Sequence, residues 1–274
     1  MLWRTAGRAK GWLLRNQEAG RGRASIRPVD TLDFAVIILS VPHAPYRQFC
    51  PLARAAEIIG ERWTLLVVRE LILRPNRFSD LLVRLDGIST SVLSERLAGL
   101  MEAGLVMRTT LKPPAASTVY ELTEDGRDLE PAVFELVRWG YRRLLPPRQD
   151  DRVDAGWVRL ALAACARKSE TRRSAFAVEV PDEGEDVTVY VQGGPRGTVV
   201  HPPPGSAHTV IRGDPETLFE IISGVISPVE AHARGRVEVR GDLSALPVFP
   251  RLFDVPVASA PSVYAEPVQQ RAAG

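Results

Sequence analysis

FSDLLVRLDGISTSVLSERLAGLMEAGLV, residues 78–106, decides how the rest of the chain is read. Phe78, Leu81, Leu82 and Leu85 recur at the spacing of an amphipathic helix, and Leu93, Leu97 and Leu100 do so again. Between the two runs lies Asp86-Gly87, a turn dipeptide. Ser89 or Thr90 stands where a helix N-cap needs a side-chain oxygen, and Gly104 stands where the second helix must stop. The segment therefore predicts two short helices joined by a tight turn, with a strand beginning directly after.

The flanks extend this pattern. Leu52, Ala55, Ala56 and Ile59 form one stripe behind Pro51, which suits a first helical turn. Trp63–Leu73 is apolar around most of its circumference, the mark of a helix buried inside a domain. Leu105–Leu111 and Thr118–Leu122 read as strands, with Lys112–Ser117 as the tip between them. Thr123 is placed to cap a last helix carrying Leu129, Val133, Leu136, Val137 and Leu144 on one side. With the helix at Pro51, it offers apolar surface to spare for a dimer. Helix, turn, helix and ribbon together are the layout of a winged-helix DNA-binding domain.

The Leu93/Leu97/Leu100 stripe turns inward, so Ser91, Ser94, Glu95, Ala98 and Glu102 face out. The N-terminal half of such a helix enters the major groove. That places Ser89, Thr90, Ser91 and Ser94 near base edges, and Glu95 within reach of a cytosine amino group. Arg77, Arg84, Arg96, Arg108 and Lys112 are the candidates for phosphate contacts, each weighed against a solvated charge or an internal ion pair. The outward glutamates oppose phosphate binding, so a dimer spanning two half-sites is expected to supply the affinity.

Composition narrows the remaining classes. At 274 residues, with 45% hydrophobic and 25% charged residues, the chain suits two globular domains. Residues 1–44 hold seven Lys/Arg against three Asp/Glu, residues 45–145 fourteen against thirteen, and residues 146–274 fourteen against seventeen. The basic balance thus belongs to the N-terminal extension. Residues 1–44 read either as a disordered basic tail or as a segment translated from an upstream start, the native chain then beginning near Val41. Phe34–Val41 is too short to span a bilayer, which needs about 20 apolar residues, so a cytoplasmic protein without a membrane partner is expected. Cys50 and Cys165 form no metal or disulfide framework. No nucleophile elbow, paired carboxylates or metal set is apparent, and Gly193–Gly197 fits a hairpin turn better than a phosphate cradle. Neither an enzyme nor a cofactor is expected.

Pro146-Pro147 followed by Gln149-Asp150-Asp151 marks a domain boundary. Beyond it, Trp157–Lys168 reads as a helix. Strands are expected at 175–180, 187–192, 197–200, 208–213 and 236–241, and helices at 215–222 and 243–253, capped by Asp214 and Asp242. Residues 258–274 read as a flexible tail.

CPLARAAEIIGERWTLLVVREL, RFSDLL, GISTSVLSERLAGLMEAGLV and YELTEDGR resemble, in order and spacing, the HxlR-type winged-helix regulators, a group related to MarR. The resemblance covers about residues 45–145 and implies a dimeric DNA-binding regulator. The Pro113-Pro114-Ala115-Ala116 wing tip departs from the more polar tip often found there. Cys50 occupies a place where several members carry a sensing thiol; the alternative is an inert one, and Cys165, on an apolar stripe, reads as packing.

Residues 152–257, above all Asp214–Phe253, resemble sterol-carrier-protein-2-like domains. That resemblance implies an α+β domain whose five-stranded sheet carries helices on one face, with an apolar tunnel between them. Phe176, Val178, Val189, Val191, Leu218, Phe219, Ile222, Val225, Leu246, Phe249 and Phe253 are the candidate walls, or simply core. The whole chain then reads as α+β: a homodimeric, sequence-specific transcription regulator, expected to be a repressor. Its partners would be a pseudo-palindromic operator and an apolar small molecule held by the C-terminal domain. The rival reading is a lipid carrier or interaction protein that uses the winged helix to dimerise.

Overall fold

Buried leucines at helical spacing organise the first half of the chain. The computed structural model describes residues 45–111, 117–148, 151–182 and 186–256. The expectations for residues 1–44, Lys112, the wing tip and the tail from 258 fall outside these. Helix α1 (Pro51–Ile59) is followed by α2 (Thr64–Leu73), α3 (Phe78–Arg84) and α4 (Thr90–Glu102). Leu81, Leu85, Leu93, Leu97 and Leu100 meet Val67, Val68 and Leu71 of α2 in one core. Ser89 caps α4, its Oγ accepting from Val92 N at 3.3 Å. Gly87 and Gly104 both hold positive φ, at 84° and 76°, which is why glycine stands at these two turns.

Strands β1 (Val106–Thr110) and β2 (Thr118–Leu122) pair antiparallel from Val106↔Leu122 to Thr110↔Thr118. Asn76 adds a bridge to Tyr120, so the segment leading into α3 is fastened to the ribbon. The single helix expected after Thr123 is two. Thr123 caps the one-turn α5 (Glu124–Arg127), and α6 (Glu130–Tyr141) starts afresh at Pro131, whose ring nitrogen has no proton to continue the earlier helix. The α1 stripe is left largely uncovered: Leu52 is 76% exposed, and only Ala53 of that helix is buried. Helix α2 starts one residue later than expected, because Trp63 sits at φ 79° in the left-handed region.

The second half begins with α7 (Ala155–Cys165), whose N-cap Asp154 accepts from Gly156 N at 2.7 Å. Strands β3 (Ser174–Val180), β4 (Val187–Gly194), β5 (Gly197–His201), β6 (Thr209–Gly213) and β7 (Val237–Gly241) form a sheet in the order β5-β4-β3-β6-β7. Only the β3–β6 pair is parallel. Helices α8 (Pro215–Ser223) and α9 (Pro228–Ala233) are capped by Asp214 and Ser227. The last element, Leu243–Leu252, is a 3-10 helix rather than an α-helix. Pro247 and Pro250 lie inside it and withhold two of the amide protons an α-helix needs.

The described residues of the two halves lie within one compact unit. Helix α6 belongs to both: Val133 packs in the first core, and Tyr141, two turns on, in the second. Among the described residues, no helix is long and apolar enough to cross a membrane, and no cluster of metal-ligating side chains occurs.

Candidate nucleic-acid interface

Helix α4 presents its outer side to solvent along its whole length. Thr90, Ser91, Ser94, Glu95, Ala98 and Glu102 are all exposed, while Leu93, Leu97 and Leu100 are sealed beneath. Ser89 and Ser91 Oγ lie 3.0 Å apart. Ser89 is committed to the cap, and Thr90, Ser91 and Ser94 carry the other hydroxyls on this side. Such hydroxyls can donate or accept a hydrogen bond without imposing charge.

The cations sort into different places. Arg77 is exposed at the start of α3, and its Nε donates to Ser117 Oγ at 3.0 Å, so it also ties α3 to the base of the wing. Arg108 is exposed on β1 and has no carboxylate partner among the described residues. Arg96 is corrected: its side chain is 16% exposed and lies 3.4 Å from both Glu61 and Glu95, turned back along the domain. Arg84 is corrected too. It lies 2.8 Å from Asp154 and 3.5 Å from Glu70, with 17% of its side chain exposed. Mostly buried and paired with carboxylates, these two arginines are poorly placed to reach a phosphate. The outward carboxylates Glu95 and Glu102 thus face few free cations.

Sequence reasoning passed over the surroundings of Arg84. Glu70 stands beside Arg69 in a helix that is otherwise almost wholly apolar, and a carboxylate there needs a buried partner. That signal was present in WTLLVVRELIL. Its partner Trp157, from α7, was legible only as an apolar residue. Burial pushes the Arg69 guanidinium below its ordinary pKa, with the adjacent Glu70 opposing that shift.

The proposed tunnel walls of the C-terminal domain converge in one core, with Val225 as the exception. Phe176, Val178, Val189, Val191, Leu218, Phe219, Ile222, Leu246, Phe249 and Phe253 are buried together. Phe249 meets Phe176 and Phe253 edge-to-face at centroid distances of 5.2 and 5.3 Å. Val225 is 65% exposed, because Gly224 takes φ 75° at the end of α8 and turns the chain outward. Tyr141 of α6 reaches this core, and its hydroxyl donates to Phe219 O at 3.1 Å. Cys165 is fully buried, and burial raises its thiol to about 11. Cys50 is half-buried at the N-cap of α1.

The profile of the HxlR-like helix-turn-helix family matches residues 58–147, and that of the SCP-2 sterol transfer family matches residues 161–254. YvaP, an HTH-type transcriptional regulator of Bacillus subtilis, is 34% identical over 93 residues, which are 34% of this chain and 86% of that protein. An HTH-type transcriptional regulator of Mycobacterium tuberculosis is 44% identical over 94 residues, or 34% of this chain. The chain covers 59% of that relative's own length. Among solved structures, the reduced form of the B. subtilis regulator YodB is similar at 30% identity and a TM-score of 0.31, covering 37% of this chain and all of that one. With a relative matched over most of its length, and the profile spanning both reading helix and ribbon, the chain belongs to the HxlR-like helix-turn-helix family.

Proposed function

We propose that the protein is a sequence-specific DNA-binding transcription regulator acting as a homodimer. The observation that carries this reading is the exposed hydroxyl row of α4, Thr90, Ser91 and Ser94, on a helix whose opposite side is locked into the core. Arg77 and Arg108 flank it as phosphate contacts, and Lys112 would join them from the wing. The dimer would form through the apolar surface that the folded chain leaves uncovered on α1 and α6. Phe49, Leu52, Leu136 and Trp139 are all exposed there, and Arg143 lies over the Trp139 ring at 4.1 Å. Aromatic anchors of this kind dominate interface energetics.

The C-terminal domain is the place for an apolar effector, on the strength of its SCP-2 profile match. Entry would require Phe249 to part from Phe176 and Phe253. The operator is expected to be pseudo-palindromic, with half-sites about 34 Å apart.

The test selects duplexes from a random library with the full-length chain, then measures affinity and its salt dependence. Substituting Ser91 and Ser94 by alanine is expected to relax sequence preference, at about 1–3 kcal/mol for each lost base contact. Arg77→Ala is expected to weaken all sequences alike and flatten the salt slope by about one. Failure to enrich any duplex would refute the reading.

A further inference from the structure

The C-terminal domain touches the winged helix where the DNA-binding reading makes no use of it. Glu70 of α2 is 1% exposed. Its Oε1 accepts from Arg69 Nε at 2.8 Å and from the Trp157 indole N–H at 2.9 Å, and its Oε2 lies 3.5 Å from Arg84. Arg84, the last residue of α3, donates to Asp154 at 2.8 Å. The Arg69 guanidinium lies over the Trp157 ring, 4.1 Å from its centroid. Two carboxylates and two guanidiniums thus balance one another out of reach of most water. Asp154 and Trp157 come from the other domain. Two further bonds follow the same seam. Arg159 donates to Leu73 O at the end of α2, and Arg152 pairs with Asp86 in the α3–α4 turn at 3.4 Å.

The position of Arg84 gives this cluster its consequence. Helix α3 has seven residues, and after Arg84 the chain passes through buried Leu85 and Ile88 to Ser89, the cap of α4. Close-packed elements do not stretch, so a displacement at Arg84 is carried into the first two turns of α4, where Thr90, Ser91 and Ser94 lie. Removing one member of a buried ion set leaves its partner's charge uncompensated, and the cluster therefore resists intermediate arrangements.

We infer that Asp154 and Trp157 are positioning residues for DNA reading, acting through Arg84 and Glu70 to aim α4. The C-terminal domain is then part of the DNA-binding apparatus, and anything that shifts the N-terminus of α7 is relayed to the reading helix. This rests on the DNA-binding proposal above.

The test uses the full-length chain with Asp154→Asn, Trp157→Phe and the conservative Asp154→Glu. Two readouts are taken on folded protein: affinity for a duplex selected by the unsubstituted chain, and amide hydrogen exchange across residues 85–93. Asp154→Asn and Trp157→Phe are expected to weaken DNA binding about five- to tenfold and to speed that exchange, with Asp154→Glu restoring most of both. Arg84→Gln combined with Asp154→Asn is expected to cost less than the two separately, since both break one pair. Unchanged affinity and exchange in variants that are merely less heat-stable would overturn the inference. If the unsubstituted chain selects no duplex, the DNA-binding reading fails, and exchange alone decides the positioning role. If Asp154→Asn does not fold, Trp157→Phe decides, because it keeps the ring beneath Arg69 and removes one donor.

Discussion

Replacing Glu70 by Gln isolates the charge of the interdomain cluster at nearly constant shape. In the native arrangement Oε1 accepts from Arg69 Nε and from Trp157 Nε1, at 2.8 and 2.9 Å. An amide oxygen can keep both contacts. The other side of the group then becomes an NH2, facing Arg84 at a site where a carboxylate oxygen lay 3.5 Å away. Breaking a buried ion pair from one side costs about 3–5 kcal/mol. Arg84 retains Asp154 at 2.8 Å, which places the expected loss near the lower end, about 3 kcal/mol. For a folded region of this size that loss corresponds to a drop of about 6–12 °C in the unfolding midpoint. The assay is thermal unfolding followed by far-UV circular dichroism, with urea unfolding as a second measure. Glu70→Leu is expected to be worse, because Arg69 and the Trp157 N–H both lose their acceptor. A Glu70→Gln midpoint equal to the wild-type value would refute the reasoning, since it would mean that water already screens the cluster.

Further outcomes are open to direct measurement. Trp139→Ala is expected to leave monomer stability nearly intact, since the ring is 58% exposed, yet to weaken dimerisation by about 2 kcal/mol or more. Sedimentation at several concentrations measures it. A thiol reagent at pH 8 is expected to label Cys50 in the folded chain and Cys165 only after unfolding, because Cys165 is buried with its pKa raised to about 11. Peptide mass mapping reads the two sites separately. Asp242 accepts from Ser244 N and Oγ at 2.9 and 2.6 Å, and these bonds hold its carboxyl below the ordinary value. Its contribution is therefore complete above the ordinary carboxylate pKa of about 3.9 and fades as pH falls through the lowered one. The unfolding midpoints of wild type and Asp242→Asn should differ at pH 7 and converge in strong acid.

Much of the winged helix was legible because its determinants are local. The Leu93/Leu97/Leu100 stripe, the Ser89 cap and the glycines at 87 and 104 each state their requirement within a few residues, and the folded chain meets them. The five strands of the second half were found in the same way, from short Val-rich runs. Local signals also misled where a proline inside an expected helix changed its extent or its type. Pro131 split one expected helix into two, and Pro247 and Pro250 made the last one 3-10.

What the sequence determined by itself was therefore the helix-turn-helix and its outward hydroxyl row. Each follows from periodicity and capping, which are properties of neighbouring residues. Only the tertiary structure decided the fate of the cations. Arg84 and Arg96 carry the same charge as Arg77 and Arg108, yet Asp154 lies seventy residues from Arg84 along the chain and 2.8 Å from it in space. Ion pairing depends on such distances, and no local pattern encodes them. For the same reason Trp157 and Tyr141, aromatic residues with one polar group each, became the links between two cores only once their helices were packed.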